Sequence, residues 1–190
     1  MESLNDKLQE LGAKKLVLDG FDSFVIDKSK IIEAIELAKE AGFNLLSDIF
    51  AIDYLDYPEH EGKRFAVVYN LFAIDTKQRV FIRTELEPNE ALPTASNLWS
   101  SANVVEREVF DMFGIKFSGH PNLTKLHTPD DLEGHPLLKD FPLGETATLF
   151  NDGRFIDPAA FRASLKGSSQ GMTGYKGGAR RGLKRVRGDD

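Results

Sequence analysis

Leu4, Leu8 and Leu11 recur at i, i+4 and i+7 among charged residues. That spacing predicts a short amphipathic helix over residues 2–11, stopped by Gly12. KLVLDG (15–20) and SFVID (23–27) read as two short strands around a turn. Asp27 and Ser29 are both suited to cap a second helix running to about Ala41. Its apolar stripe is Ile31 or Ile32, Ile35, Ala38 and Ala41, and Gly42 ends it. The run FNLLSDIFAIDYL (43–55) is β-rich and apolar enough for a buried strand. RFAVVYNLFAI (64–74) and RVFIRTEL (79–86) flank DTKQ in a hairpin pattern. Helices and strands come in groups rather than in strict alternation. The prediction is an α+β fold: two layers, with a mixed, mostly antiparallel sheet and helices on one face.

Pro88 and Pro93 bound a loop, after which a third helix is predicted through LWSSANVVEREVFDMF (98–113). Leu98, Ala102, Val105, Val109 and Met112 form its expected buried stripe, and Gly114 is placed to end it. Residues 1–114 are thus expected to form a compact domain. Four of the eight prolines then fall within residues 121–142, so regular structure is hard to sustain there. Phe117, Leu123, Leu126, Leu137, Leu138, Phe141 and Phe150 nevertheless require a surface to lie on. Residues 115–166 are therefore predicted as an extended Pro/Gly-rich arm packed on the core and on partner subunits, with a short helix after Pro158. Residues 167–190 are predicted to be a basic, Gly-rich tail, disordered in isolation.

The composition is that of a soluble globular protein, 41% hydrophobic and 28% charged over 190 residues. With no cysteine, disulfides, thiolate zinc sites, protein-ligated iron–sulfur clusters and a cysteine nucleophile are excluded. No run approaches the length of a membrane span, and MESLNDKLQELG lacks the regions of a secretory signal, which predicts a cytoplasmic location. Residues 167–190 carry six Lys/Arg against two Asp, or +4, leaving −10 on residues 1–166 out of the total of −6. The tail alone suits an anionic surface, a nucleic acid or an acidic protein partner. The acidic body argues against nucleic acid.

Dinucleotide-binding, P-loop, nucleophile-elbow and zinc-protease motifs are all missing from the sequence. His120, His127 and His135 lie within 16 residues near Asp130, Asp131 and Glu133. They suggest a metal or acid–base cluster, but gaps of six and seven residues exceed usual ligand spacing. GHP written twice, at 119–121 and 134–136, is better read as turn punctuation, with the imidazoles hydrogen-bonded to the backbone. Glu106, Arg107, Glu108 and Asp111 form a charged cluster on the third helix. Phe110, Phe113 and Phe117 beside them favour a desolvated contact over a wet helix face. Asp48, Asp53 and Asp56 fit a strand-to-turn boundary better than a cation site.

At EREVFDMFGIKFSGHPNL (106–123) and TPDDLEGHPLLKDFPLG (128–144) the sequence resembles the 30-kDa, or C, subunit of respiratory complex I. DYLDYP with RFAVVYNL (53–71), PTASNLWSSAN (93–103) and YKGGARRG (175–182) extend the likeness over most of the chain. It departs from that pattern at Asn122, Lys125 and Leu138. The resemblance implies a cofactor-free structural subunit of the hydrophilic arm of the proton-pumping NADH:quinone oxidoreductase. FMN and iron–sulfur clusters would reside in partner subunits. The expected partners are the large quinone-site, 49-kDa-type subunit and the iron–sulfur subunits. Placement is expected on the cytoplasmic side of the cell membrane, peripheral and without direct insertion. No catalytic, cofactor or metal residue is expected. Glu106, Arg107, Phe110, Asp111, Phe113, Phe117, His120, His135, Lys139, Asp140, Arg180 and Arg181 are expected to contact partner chains. Equivalent subunits of membrane-bound hydrogenases and other-donor complexes fit the same pattern.

Overall fold

The computed structural model describes residues 2–18, 20–58, 60–130 and 132–142. Contacts gather residues 1–130 and 134–144 into one compact unit. The second unit is residues 131–133 and 145–190, of which only 132 and 133 are described. The tail, with Arg180 and Arg181, and the helix expected after Pro158 lie outside the described residues.

Helix α1 (Glu2–Glu10) buries Leu4 and Leu8, as the 4-residue spacing requires. Strands β1 (Lys14–Leu18) and β2 (Phe21–Val25) pair antiparallel across Gly20, whose φ of +85° is the left-handed turn conformation. A single 3₁₀ turn (Lys28–Lys30) is capped by Asp27, whose Oδ1 accepts the Ser29 N–H at 2.9 Å. It leads into α2 (Ile31–Glu40), which buries Ile31, Ala34, Ile35 and Ala38. Ala41, expected in that stripe, is exposed where the helix ends.

Strands β3 (Leu45–Asp53), β4 (Phe65–Ala73) and β5 (Gln78–Leu86) form an antiparallel meander. β5 returns beside β2 in parallel, giving the order β1-β2-β5-β4-β3. The sheet is mixed and mostly antiparallel. β4 lies next to the β3 edge and is buried along nearly its whole length, while β3 forms the edge itself. β3 is consequently not the buried strand expected for residues 43–55. It is bulged between Leu46 and Asp48, and Leu45 and Phe50 are exposed.

The period of two along β2–β5 sorts the side chains onto two faces. Phe24, Val80, Ile82, Val67, Tyr69, Leu71 and Ile49 point into one core beneath α1, α2 and α3. The opposite face carries Leu16, Phe21, Phe81, Val68 and Phe50, and none of the three helices covers it.

Helix α3 (Ala102–Phe113) begins four residues later than its periodicity suggested. Leu98 and Trp99 sit instead in turns made by their N–H groups on the Ala95 carbonyl, and the Trp99 indole N–H reaches the Asn44 carbonyl at 3.0 Å. Two short strands, β6 (Ala91–Pro93) and β7 (Lys116–Ser118), bracket α3 and pair in parallel. Neither was expected. Directly after Gly114, Ile115 and Phe117 are buried in the core of the domain.

Candidate partner interface

α3 departs most from the expected pattern. Ala102 and Val109 are buried as foreseen, but Val105 and Met112 are only half-buried. Glu106 and Asp111 take the remaining buried positions, each with no exposed surface. They are not surface contacts, because both carboxylates are engaged by the chain's own backbone. Phe117, only 3% exposed, is likewise a core residue.

Glu106 Oε1 accepts the Ala95 N–H at 2.6 Å and Oε2 accepts the Thr94 hydroxyl at 2.6 Å. It thereby ties the turn after β6 to the helix. Burial pushes its carboxyl above the ordinary range, against the opposing pull of those two donors. His120 lies beside it, 3.9 Å from Oε2, with Nε2–H donating to the Asn103 carbonyl at 3.0 Å and Nδ1 accepting the Asn122 N–H at 3.1 Å. Those partners fix its tautomer.

Asp111 collects four donors. Oδ2 accepts the N–H groups of Leu126, His127 and Thr128 at 2.7–2.9 Å, and Oδ1 accepts the Thr128 hydroxyl. Burial acts to raise its carboxyl, but these donors outweigh it and hold it at about 2. Arg107 donates to the same loop, from Nε to the Thr124 carbonyl at 3.1 Å and from Nη2 to the Lys125 carbonyl at 2.9 Å.

His135 Nδ1–H donates to the Asp111 carbonyl at 2.9 Å and its ring meets the Phe110 ring edge-on at 6.0 Å. Gly114 makes room for it. A Cβ there would lie 2.6 Å from His135 Cδ2, and its φ of +76° disfavours any side chain. Both GHP imidazoles thus bond to backbone, while His127 is exposed, 4.0 Å from Glu108.

Farther along, the Lys139 N–H donates to Asp53 Oδ2 at 3.0 Å. Asp53 is buried and also takes Arg64 Nε and Nη2, each at 3.0 Å, while Nη2 bridges on to Asp140 at 2.8 Å. Burial would raise the Asp53 carboxyl, but Arg64, Lys139 and Leu55 together bring it below its usual value. Sequence reasoning missed Arg64, Thr94 and Thr128, and it read Asp53 as part of a strand-to-turn boundary rather than as the buried partner of Arg64. For Asp53 the signal was its place on the inward period of β3, in register with Ile49 and Ala51, where a carboxylate requires a partner. Of the expected contact residues, Lys139 and Asp140 remain on the surface, Arg107, Phe110, Phe113 and His135 are half-buried, and the His120 side chain has no exposed surface.

Fold and site define an α+β domain whose chain beyond the sheet is strapped around one helix by buried charges. The trypsin-resistant fragment of Nqo5 shares this fold, with a TM-score of 0.61 and 37% identity over 64% of this chain and 98% of that one. The chain belongs to the family of the respiratory-chain NADH dehydrogenase 30-kDa subunit, whose model matches residues 24–147. It is 50% identical over 171 residues to NADH-quinone oxidoreductase subunit 5 of Thermus thermophilus, covering 87% of this chain and 83% of that relative. It is also 37% identical over 154 residues to the C/D subunit of the NADH-quinone oxidoreductase of Shewanella woodyi, covering 78% of this chain and 26% of that longer relative.

Proposed function

We propose that this C-type subunit acts as a cofactor-free scaffold in the hydrophilic arm of an NADH:quinone oxidoreductase, next to a D-type, 49-kDa-like subunit and the iron–sulfur subunits. The complex passes electrons from NADH through FMN and iron–sulfur clusters to quinone, and these groups reside in the partners. The observation that carries this reading is the engagement of Glu106, Arg107, Asp111, His120 and His135 with the chain's own backbone. Groups whose hydrogen bonds are already made hold a shape rather than turn over a substrate. The joint C/D name of the Shewanella woodyi relative supports a D-type neighbour. No helix among the described residues is long and apolar enough to cross a membrane, which supports peripheral attachment through partners on the cytoplasmic side. Lys139, Asp140, Arg180 and Arg181 are the contacts this reading retains from the arm and tail.

The test is gentle affinity purification of the tagged chain from solubilised membranes, with partner identification and cofactor analysis of the isolated chain. Co-purification with flavin- and iron–sulfur-bearing NADH dehydrogenase subunits, and no bound cofactor in the isolated chain, is the expected result. A chain that purifies alone, or with its own flavin or iron, would overturn it.

A further inference from the structure

Glu106 has no exposed surface, and neither group that donates to its carboxyl carries a charge. The Ala95 N–H meets Oε1 and the Thr94 hydroxyl meets Oε2, each at 2.6 Å. The Thr94 hydroxyl also lies 2.9 Å from the Ser96 hydroxyl, and its oxygen accepts the Ser96 N–H at 3.1 Å. Thr94 is buried and Ser96 half-buried. A row of oxygens therefore runs from the buried carboxyl toward solvent.

The hydrogens decide what this row can do. A hydroxyl has one proton and two acceptor sites. The Ser96 N–H fills one acceptor site of Thr94, which leaves one proton and one site to serve Glu106 and the Ser96 hydroxyl. With Glu106 ionised, Thr94 donates to Oε2 and the Ser96 hydroxyl donates to Thr94. With Glu106 protonated at Oε2, the carboxyl donates to Thr94, Thr94 donates to Ser96, and Oε1 still accepts the Ala95 N–H. Turning two hydroxyls exchanges the two arrangements, and the carboxyl keeps both of its bonds. Burial favours the neutral acid and raises the carboxyl.

The groups around Glu106 leave the proton to it. The His120 side chain, also without exposed surface, directs Nε2–H to the Asn103 carbonyl, and a proton on Nδ1 would displace the Asn122 N–H. Tyr69 on β4 is wholly buried, its hydroxyl has no hydrogen-bond partner among the described residues, and burial and the charge of Glu106 push it up. On β3 the inward carboxylate, Asp53, is paired with Arg64, and on α3 Arg107 and Asp111 are engaged with residues 124–128. We propose that Glu106 is a proton-binding site, filled from solvent through the hydroxyls of Ser96 and Thr94, at which the folded protein takes up a proton without releasing α3 from the turn after β6. A hydronium ion gives its proton to Ser96 Oγ, Ser96 gives its own to Thr94 Oγ1, and Thr94 gives its own to Glu106 Oε2. Each O–H bond broken along the row is replaced, a new one forms at Glu106, and a water molecule is left.

The test is carbon-13 NMR of the full chain labelled at the glutamate carboxyl carbons, with the Glu106 signal assigned by its loss in Glu106→Gln. That signal is expected to titrate above the ordinary 4.5 while the amide signals of β4 and α3 keep their folded positions. A signal that moves only as the fold melts would overturn the proposal, because the proton would then need an open chain. Relaxation dispersion at the midpoint tests the route. Ser96→Ala, at a half-buried position, leaves the Thr94–Glu106 bond in place and should slow exchange between the two carboxyl forms roughly tenfold or more. Thr94→Val should slow it as well, and Thr94→Ser, which keeps the hydroxyl, should retain the unsubstituted rate. Exchange in Ser96→Ala as fast as in the unsubstituted chain would overturn the route through these hydroxyls.

Discussion

Arg107 and Asp111, one turn apart on α3, hold the same loop by its two opposite backbone polarities. Arg107 donates to the carbonyls of Thr124 and Lys125, and Asp111 accepts the N–H groups of Leu126, His127 and Thr128. Two charges from a cluster expected to contact a partner chain are a clamp on the chain's own strap. A loop without a ladder has unpaired backbone groups, and these two side chains satisfy five of them.

The Asp111 clamp makes stability depend on pH in a defined direction. The folded carboxyl titrates at about 2 against an ordinary 3.8. A depressed folded value means stabilisation that is complete above the unfolded value and lost as pH falls through the folded one. The difference corresponds to about 2 kcal/mol, disappearing between roughly pH 5 and pH 2. Glu106, raised by burial, works in the opposite sense, favouring the fold as pH falls through its own range. Urea denaturation across this range should show a weaker acid limb in Asp111→Asn, which should also lose ~2–4 kcal/mol at neutral pH through its orphaned donors. An unchanged acid limb would remove Asp111 from the account.

Gly114→Ala should destabilise the protein by ~2 kcal/mol or more. The left-handed backbone alone costs of order 1–3 kcal/mol with a side chain, and the new Cβ would collide with the His135 ring at 2.6–2.7 Å. Adding His135→Ala should recover part of the loss. A double-mutant cycle by thermal denaturation measures the coupling, and strict additivity would mean that the two positions do not meet.

Arg64→Ala leaves the Asp53 carboxylate buried without its guanidinium and should cost ~2–4 kcal/mol, the range for breaking a pair with one buried member. Arg64→Lys should restore little, because a single ammonium cannot span Asp53 and Asp140 with the same fork. Asp140→Asn, at an exposed position, should cost under ~1 kcal/mol. Equal losses for Asp53→Asn and Asp140→Asn in chemical denaturation would contradict this ranking.

Arg107→Ala should loosen residues 124–128 more than the sheet. Amide exchange at Leu126 and His127 is expected to accelerate while β4 and β5 keep their protection. In membranes the same substitution should lower the amount of assembled complex, with turnover per assembled complex close to unchanged. Reduced turnover per complex at full assembly would point to a role beyond shape.

The local elements were legible because their causes are local. Leu4 and Leu8 at four-residue spacing mark α1, DTKQ between two β-rich runs marks the β4–β5 hairpin, and Gly42 and Gly114 mark two helix ends. The helix stripe on α3 was misread because a hydrophobic pattern treats Glu106 and Asp111 as outward, although Glu106 shares the buried side of Ala102 and Val109, and Asp111 is buried on the opposite side by the 126–128 loop. Only residues distant in sequence, Thr94 and Ala95 for one and 126–128 for the other, supply the donors that let a carboxylate be buried. Pairing of β6 with β7 likewise joins three-residue strands from either side of a helix, too short to carry a periodic signal.

The order of residues by itself determined an α+β protein with grouped elements, no thiol chemistry, an acidic body and a basic tail, because propensity, periodicity and charge are properties of neighbouring letters. Tertiary structure alone decided that β5 lies parallel to β2, that Arg107 and Asp111 face the strap while Glu106 faces the turn after β6, and that none of the three helices covers one side of the sheet. Those outcomes depend on which distant backbone groups find partners and which apolar face finds cover, and both are settled only when the elements meet in space.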